Sequence, residues 1–123
     1  MSKEVYERLE EKSLGVTTEM HRAISEFDPE YVESVLEFYH RMTIERGVLP
    51  RKVKELIIMS VNAAQSRWEG VRIHLKRALL SGASPREVLE ALETAAIPGG
   101  LPVMWYGAEI LKQELDAMGK AFE

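Results

Sequence analysis

Apolar side chains recur along most of this sequence at the spacing of an α-helix. Val32, Val35 and Tyr39, for example, follow one another at i, i+3 and i+7 and would lie on one helix face. No segment of useful length alternates apolar and polar residues as a half-buried strand does. With 46% hydrophobic and 29% charged residues in a chain of 123, the sequence predicts an all-α protein with one modest core.

Start and stop signals divide the chain into helices. Asp28 before Pro29 is typical of an N-cap and the first helical position, and Ser84 with Glu87 has the spacing of a capping box. The predicted helices cover residues 2–12, 18–26, 28–46, 50–65, 69–81 and 102–118, with one more that begins at 84 and is broken by the run Pro98-Gly99-Gly100-Leu101-Pro102. We predict a single domain over 1–123, in which N-terminal helices (1–46) precede a core (47–118).

The charge balance and the missing residue types exclude several classes of function. Sixteen Lys and Arg against 20 Asp and Glu give a net charge of −4, without the basic patch that a nucleic-acid partner requires. The absence of cysteine excludes disulfides, thiolate metal sites and thiol redox chemistry. The first residues are charged and lack an apolar stretch of signal-peptide length. The sequence contains no run of about 18 apolar residues, so we expect no membrane span. We therefore expect a cytoplasmic protein with no membrane partner.

His74 is the first candidate for chemistry. It follows Val71 by three positions and precedes Ala78 by four, so it shares their inward face. A partly buried histidine can be neutral or charged near pH 7, which suits proton transfer. The alternative is a core histidine whose ring bonds to one backbone carbonyl.

Glu55 is the second candidate. It lies between Lys52 and Met59 on its predicted helix, beside the apolar face rather than on it. The alternative is a solvated carboxylate paired with Lys52 or Arg51.

Basic residues flank His74 in the sequence. Arg67, Arg72 and Lys76 could hold an anionic substrate, because arginine binds a carboxylate through two parallel hydrogen bonds. Alternatively, Arg72 and Lys76 form a basic i, i+4 pair on a solvated face.

Aromatic residues and a glycine turn offer further possibilities. Trp68, Trp105 and Tyr106 could wall a pocket, or they could belong to the core or to an interface. The Gly99-Gly100 turn could direct backbone N–H groups at an anion, or it could be a plain turn.

We expect no metal and no cofactor. His21, His40 and His74 lie far apart in the sequence, and none has a second ligand at helical metal spacing. The sequence contains no glycine-rich phosphate loop and no serine in a nucleophile-elbow motif.

One nine-residue stretch closely resembles a motif of the gamma-carboxymuconolactone decarboxylases, which read Arg-Trp-Glu-Glu-Leu-Arg-Leu-His-Leu. Here it reads Arg67-Trp68-Glu69-Gly70-Val71-Arg72-Ile73-His74-Leu75. The segment 49–57, with Glu55 near its end, resembles the entry into the core helix of that family, and the likeness covers about residues 45–115. The resemblance implies the carboxymuconolactone decarboxylase family and an AhpD-like helical bundle. It also implies rings of subunits, often trimers or hexamers.

A second branch of the family, the AhpD-like alkylhydroperoxidases, uses a pair of thiols. Its Cys-x-x-Cys motif falls on Arg67 and Gly70, its histidine on His74 and its glutamate on Glu55. A thiolate is the nucleophile in that chemistry. Both thiols are absent here, so this route to hydroperoxide reduction is not available, and the decarboxylase branch is the nearer one.

The resemblance implies a role for each candidate residue. A decarboxylase of this kind releases carbon dioxide from a carboxylated muconolactone while electrons flow into the conjugated lactone. His74 would donate or relay the proton, and Glu55 would orient His74 or hold a water. Arg67 or Arg72 would neutralise the substrate, with Trp68 beside them.

The sequence also departs from the family pattern near the glycine turn. Pro98-Gly99 stands where an aromatic and a small residue are common, and Val103-Met104-Trp105 is bulky where small residues are usual. Such changes could reshape or fill the pocket. The alternative function is therefore a binding or assembly role without catalysis. Short helices with a high apolar fraction also predict that some apolar surface is buried between subunits.

Overall fold

The structure, a computed structural model, describes residues 2–123, so Met1 of the predicted domain lies outside the described residues. The described chain is helical and contains no strand, which confirms the all-α prediction. Its α-helices are α1 (Ser2–Lys12), α2 (Glu19–Phe27), α3 (Pro29–Val35), α4 (Arg51–Ala64), α5 (Trp68–Leu80), α6 (Pro85–Gly99) and α7 (Leu101–Met118), and a π-helix (Leu36–Ile44) continues α3. The chain divides into two compact units, the first ending at Leu49 and the second covering Pro50–Glu123. The predicted domain boundaries stay a prediction.

The first unit packs α1, α2 and α3 around a small apolar cluster. The cluster consists of Val5, Leu9, Val32 and Leu36. The predicted N-cap of α3 is confirmed, since the Asp28 side chain accepts a hydrogen bond of 3.1 Å from the backbone N–H of Tyr31.

The helix predicted over 28–46 does not keep α-helical winding to its end. From Leu36 onward it winds as a π-helix, and the N–H of Glu45 bonds to the carbonyl of His40 at 2.8 Å, five residues back. The wider turn changes which side chains face inward. His40 is buried, whereas Tyr39, expected on the apolar face, is only half-buried.

The second unit packs α4 to α7 around the larger core. This core contains Met59, Ala63, Val71, Leu75, Ala78, Leu79, Ala83, Val88, Leu92, Val103, Ile110, Leu111 and Leu115. A short turn joins α4 to α5, and Ser66 in this turn has a left-handed φ of 57°. The capping box of α6 is confirmed, because Glu87 N–H donates to Ser84 Oγ at 3.0 Å and Ser84 N–H donates to Glu87 Oε1 at 2.9 Å.

The break predicted over residues 98–102 is confirmed. Pro98 lies inside the last turn of α6, which continues to Gly99. The chain turns at Gly100, whose φ of 99° is a conformation that glycine adopts without a steric penalty. A proline in a last helical turn removes one hydrogen bond but does not end the helix at its own position.

Two glycines allow helices of the second unit to approach closely. A Cβ at Gly107 on α7 would lie 2.8 Å from both methyl carbons of Leu92, a fully buried residue of α6. A Cβ at Gly70 on α5 would lie 2.3 Å from Oδ1 of Asn62 on α4. The Asn62 side chain is itself anchored, since its amide nitrogen donates to the carbonyl of Ile58 at 2.9 Å.

None of the helices within residues 2–123 is both long enough and apolar enough to cross a membrane.

Candidate functional site

His74 lies in the middle of α5 on the side that faces the core. Its residue exposure is 9%, and its neighbours Val71, Leu75 and Ala78 on α5 are fully buried. The inward position that its spacing predicted is therefore confirmed. Because the side chain keeps 11% exposure, the ring is not sealed completely from solvent.

Glu55, on α4, is completely buried with 0% exposure. The prediction that it lies beside the apolar face, and could be solvated, is therefore wrong. A prediction from apolar periodicity places every carboxylate away from the core. A carboxylate can nevertheless be buried when cations and hydrogen-bond donors surround it. Lys52, one of the partners predicted for it, bonds to Glu87 instead.

Glu55 and His74 are joined directly by a hydrogen bond between the two helices. Oε1 of Glu55 lies 2.8 Å from Nδ1 of His74. An ionised carboxylate can only accept, so Nδ1 carries the hydrogen and donates it. His74 therefore bonds to a carboxylate rather than to a backbone carbonyl, and among the described residues its Nε2 has no hydrogen-bond partner.

Two arginines lie close to this Glu55–His74 pair. Nε of Arg51, one turn before Glu55 on α4, donates to Oε2 of Glu55 at 3.1 Å. Arg77 follows His74 by three positions on α5 and is only 3% exposed. Residues three or four apart share a helix face, so both arginines are directed toward the same buried region.

These charges determine the protonation state of Glu55. Burial alone raises the pKa of a carboxyl group, and here it is the largest single effect. The hydrogen bond and charge of His74, the hydrogen bond from Arg51 and the charge of Arg77 act against it, and together they hold the pKa of Glu55 below its ordinary value. Glu55 is therefore ionised at neutral pH.

The sequence interpretation missed Arg77 and treated Arg51 only as a surface partner. A signal for both was present, because each lies one helical turn from a candidate residue. The spacing could have placed them beside His74 and Glu55 once those two residues were known to meet.

Arg72 and Trp68 lie on another side of α5. Residues two positions apart on a helix point in nearly opposite directions, so Arg72 and His74 do not share a face. Arg72 donates to Glu114 Oε1 at 2.9 Å and to Gln113 Oε1 at 2.7 Å, both on α7. The structure therefore separates Arg72 from the Glu55–His74 pair.

The Trp68 ring lies 5.0 Å from the ring of Tyr106, in a tilted arrangement. A surface cavity of about 260 Å³ is lined by Trp68, Glu69, Arg72, Tyr106, Glu109, Ile110 and Gln113. Trp68 and Arg72 therefore line the same cavity, together with the carboxylates of Glu69 and Glu109. Arg67 is exposed at the start of α5, and Lys76 is half-buried.

Trp105 is 61% exposed on α7, and Met104 is half-buried. Among residues 2–123 no group of three or more His, Asp or Glu side chains could hold a metal ion. The Gly99–Gly100 turn connects α6 to α7, with the N–H of Val103 bonded to the carbonyl of Gly100 at 3.1 Å.

The helical fold, with its buried glutamate–histidine pair on adjacent core helices, fits the AhpD-like bundle that the sequence resemblance implies. Residues 29–113 match the model of the carboxymuconolactone decarboxylase family. This match covers more than half of the chain, so the protein belongs to that family.

The fold is similar to that of a proposed carboxymuconolactone decarboxylase from Burkholderia xenovorans LB400, with a TM-score of 0.76 over 97% of each chain. At 20% sequence identity, this likeness concerns the fold. No curated protein matches the chain at a significant level.

Proposed function

We propose that this protein is a carbon–carbon lyase of the decarboxylase branch, which acts on a small unsaturated or lactone carboxylate by proton transfer at His74. The observation that carries the proposal is the buried hydrogen bond of 2.8 Å between Glu55 and Nδ1 of His74. This bond engages Nδ1 of His74 and leaves Nε2 available to a substrate.

In the proposed reaction, the bond between the substrate's carboxylate carbon and the lactone breaks. Its electron pair moves into the conjugated system, and carbon dioxide leaves. Protonated His74 then delivers the Nε2 proton to carbon and regains one from water. The Glu55 carboxylate stabilises the imidazolium before the transfer and holds the neutral ring after it.

The electrostatic surroundings support this cycle. A buried carboxylate beside a neutral imidazole is costly unless other cations compensate its charge. The hydrogen bond and charge of His74, with smaller contributions from Arg51 and Arg77, hold the pKa of Glu55 below its ordinary value, which favours the ionised carboxylate that the cycle requires. Substrate binding by Arg67, Arg72 and Trp68 stays a prediction, because Arg72 is bonded to Glu114 and Gln113.

The first test is a direct assay with a carboxylated muconolactone, in which carbon dioxide release is measured. We expect release with the carboxylated lactone and none with the matching lactone that lacks the carboxylate. Thermal unfolding with and without each compound provides a second measurement, because a ligand that binds the native state raises the midpoint. The proposal would be contradicted if lactones and muconate-like acids gave no turnover and also left the unfolding midpoint unchanged.

The alternative, a binding or assembly role without catalysis, has some support from exposed apolar side chains. Large apolar residues lie exposed on α4, α6 and α7 of the second unit, namely Ile57, Val61, Ile97, Leu101, Trp105 and Tyr106. Ile57, Val61 and Ile97 line one open, mostly apolar groove, and contiguous apolar surface is typical of an interaction site. We propose that a second copy of the chain covers this surface, as in a homotrimer or homohexamer.

The expected cytoplasmic location also stays a proposal.

Sedimentation velocity tests self-association. Ile97 is 86% exposed, and we expect Ile97→Lys to shift the protein to smaller species because a charge would be buried at the interface. Phe27, 84% exposed on α2, provides the matched control, and Phe27→Lys should leave the distribution unchanged. A wild-type protein that sediments as a monomer would refute the oligomer.

A further inference from the structure

We propose that Arg51 is a positioning residue for His74. By donating to one oxygen of Glu55, it directs the other oxygen at Nδ1 of His74 and thereby determines which ring nitrogen is left for a substrate. The consequence for catalysis rests on the proposed function, whereas the positioning itself can be tested without any substrate.

The two oxygens of Glu55 have separate partners. Oε2 accepts from Nε of Arg51 at 3.1 Å, and Oε1 accepts from Nδ1 of His74 at 2.8 Å. A carboxylate that is bonded at both oxygens cannot rotate about its last side-chain torsion without breaking both bonds. The Arg51 bond therefore restrains the orientation of the oxygen that His74 contacts.

The location of Arg51 gives an independent reason to assign it this role. It is the first residue of α4, directly after Pro50, and the first turn of this helix contains no acidic residue. A cation at a helix N-terminus opposes the helix dipole, by about 0.3–1 kcal/mol. Helix stability therefore does not explain an arginine here, whereas its hydrogen bond to a buried carboxylate does.

Arg51 and Arg77 have different relations to Glu55. Arg77 lies on α5, on the same helix as His74, and its charge lowers the pKa of the Glu55 carboxyl group. Arg51 lies on the same helix as Glu55 and contacts it through a directed N–H. Charge alone favours ionisation, but only the directed bond selects an orientation of the carboxylate.

Orientation matters because a neutral imidazole carries its hydrogen on one nitrogen or the other. The hydrogen bond made by one nitrogen decides which form is present. With Glu55 held in place, His74 keeps its hydrogen on Nδ1, and Nε2 is the basic nitrogen. Without Arg51, Glu55 can turn away from Nδ1, and the form with hydrogen on Nε2 gains population.

Nitrogen NMR of the full-length protein labelled with ¹⁵N-histidine tests the inference. His74→Gln assigns the resonances of His74, and alkaline buffer keeps histidine rings neutral. In the wild type we expect an Nδ1 signal typical of a protonated nitrogen and an Nε2 signal typical of an unprotonated one. In Arg51→Met we expect the two shifts to move toward each other as the second tautomer becomes populated.

Two further variants control the experiment. Lys52 is the adjacent residue and bonds to Glu87 rather than to Glu55, so Lys52→Met should reproduce the wild-type spectrum. Arg51→Lys keeps the charge without the planar guanidinium, and we expect intermediate shifts. Wild-type shifts in Arg51→Met would overturn the inference, and wild-type shifts in Arg51→Lys would do the same if Arg51→Met does not fold.

The two proposals can fail separately. Altered shifts in Arg51→Met together with normal turnover in His74→Gln would refute the proposed function and leave the positioning role intact. Unaltered shifts in Arg51→Met, with turnover lost in His74→Gln, would refute the positioning role alone. If both hold, Arg51→Met should lower kcat more than it changes KM, since Arg51 acts through His74 rather than on the substrate.

Discussion

Replacement of His74 by glutamine is expected to lower the rate of decarboxylation by about 10²- to 10⁴-fold, the usual contribution of a general acid or base. Glutamine is similar in size and its amide can still donate to Glu55, but it cannot exchange a proton with the substrate near neutral pH. The measurement is kcat/KM from carbon dioxide release on a carboxylated muconolactone. Thermal unfolding of the same samples should show only a small loss of stability.

The same substitution elsewhere in the chain controls for a general effect. His21 lies on α2 in the first unit, where its Nδ1 accepts from the backbone N–H of Thr18 at 3.0 Å. Glutamine at this third helical position can accept from the same N–H, as in a capping box, so His21→Gln should leave turnover near the wild-type value. An unchanged rate in His74→Gln would rule out His74 as the residue that transfers the proton.

Replacement of Glu55 by glutamine is expected to lower the free energy of unfolding at neutral pH by about 3 kcal/mol. This value is at the lower end for breaking a buried ion pair, because glutamine keeps the shape and one acceptor oxygen. The loss arises because residue 55 would no longer offer a charged acceptor to His74 and Arg51 or an attraction to the buried charge of Arg77. Chemical denaturation monitored by circular dichroism measures the difference.

The difference in unfolding free energy between wild type and Glu55→Gln should shrink as the pH falls. The folded-state pKa of Glu55 lies below the ordinary value of 4.5, so its contribution to stability is complete above that value. The contribution is lost as the pH falls through the lower folded-state pKa. Wild type and Glu55→Gln should therefore differ most near neutral pH and converge in acid.

A glutamate on the surface provides the control for this experiment. Glu93 is exposed on α6, and Glu93→Gln should change stability by no more than about 0.5 kcal/mol at any pH tested. A Glu55→Gln protein as stable as the wild type at neutral pH would contradict the assignment of Glu55 as a buried, charge-compensated carboxylate.

The sequence predicted helix starts well where a side-chain cap marks them. The Asp28 cap and the Ser84–Glu87 capping box were correct because side-chain caps act within a single turn. The π-helix after Val35 was not predictable, since apolar spacing alone does not reveal a turn widened by one residue. The end of α6 was correctly predicted within residues 98–102, because proline and glycine interrupt a helix through local backbone geometry.

The candidate site was only partly predictable for a related reason. Helical spacing identified the inward position of His74, which depends on one helix alone. The burial of Glu55 depends on α5 packing against α4, and its bond to His74 joins residues 19 positions apart. Spacing within one helix carries no information about such a pairing. Arg72 and Trp68 were grouped with His74 by sequence proximity, but a helix turns neighbours in sequence toward different partners.

The close approach of Gly70 to Asn62 bears on whether a thiol pair could be built into this chain. In the thiol-dependent relatives that the sequence resembles, the position of Gly70 carries a cysteine, but here a Cβ would lie 2.3 Å from Oδ1 of Asn62. The Asn62 side chain, which donates to the carbonyl of Ile58, would therefore have to shift before position 70 could carry a side chain. A thiol pair engineered at 67 and 70 would accordingly require a change at position 62 as well.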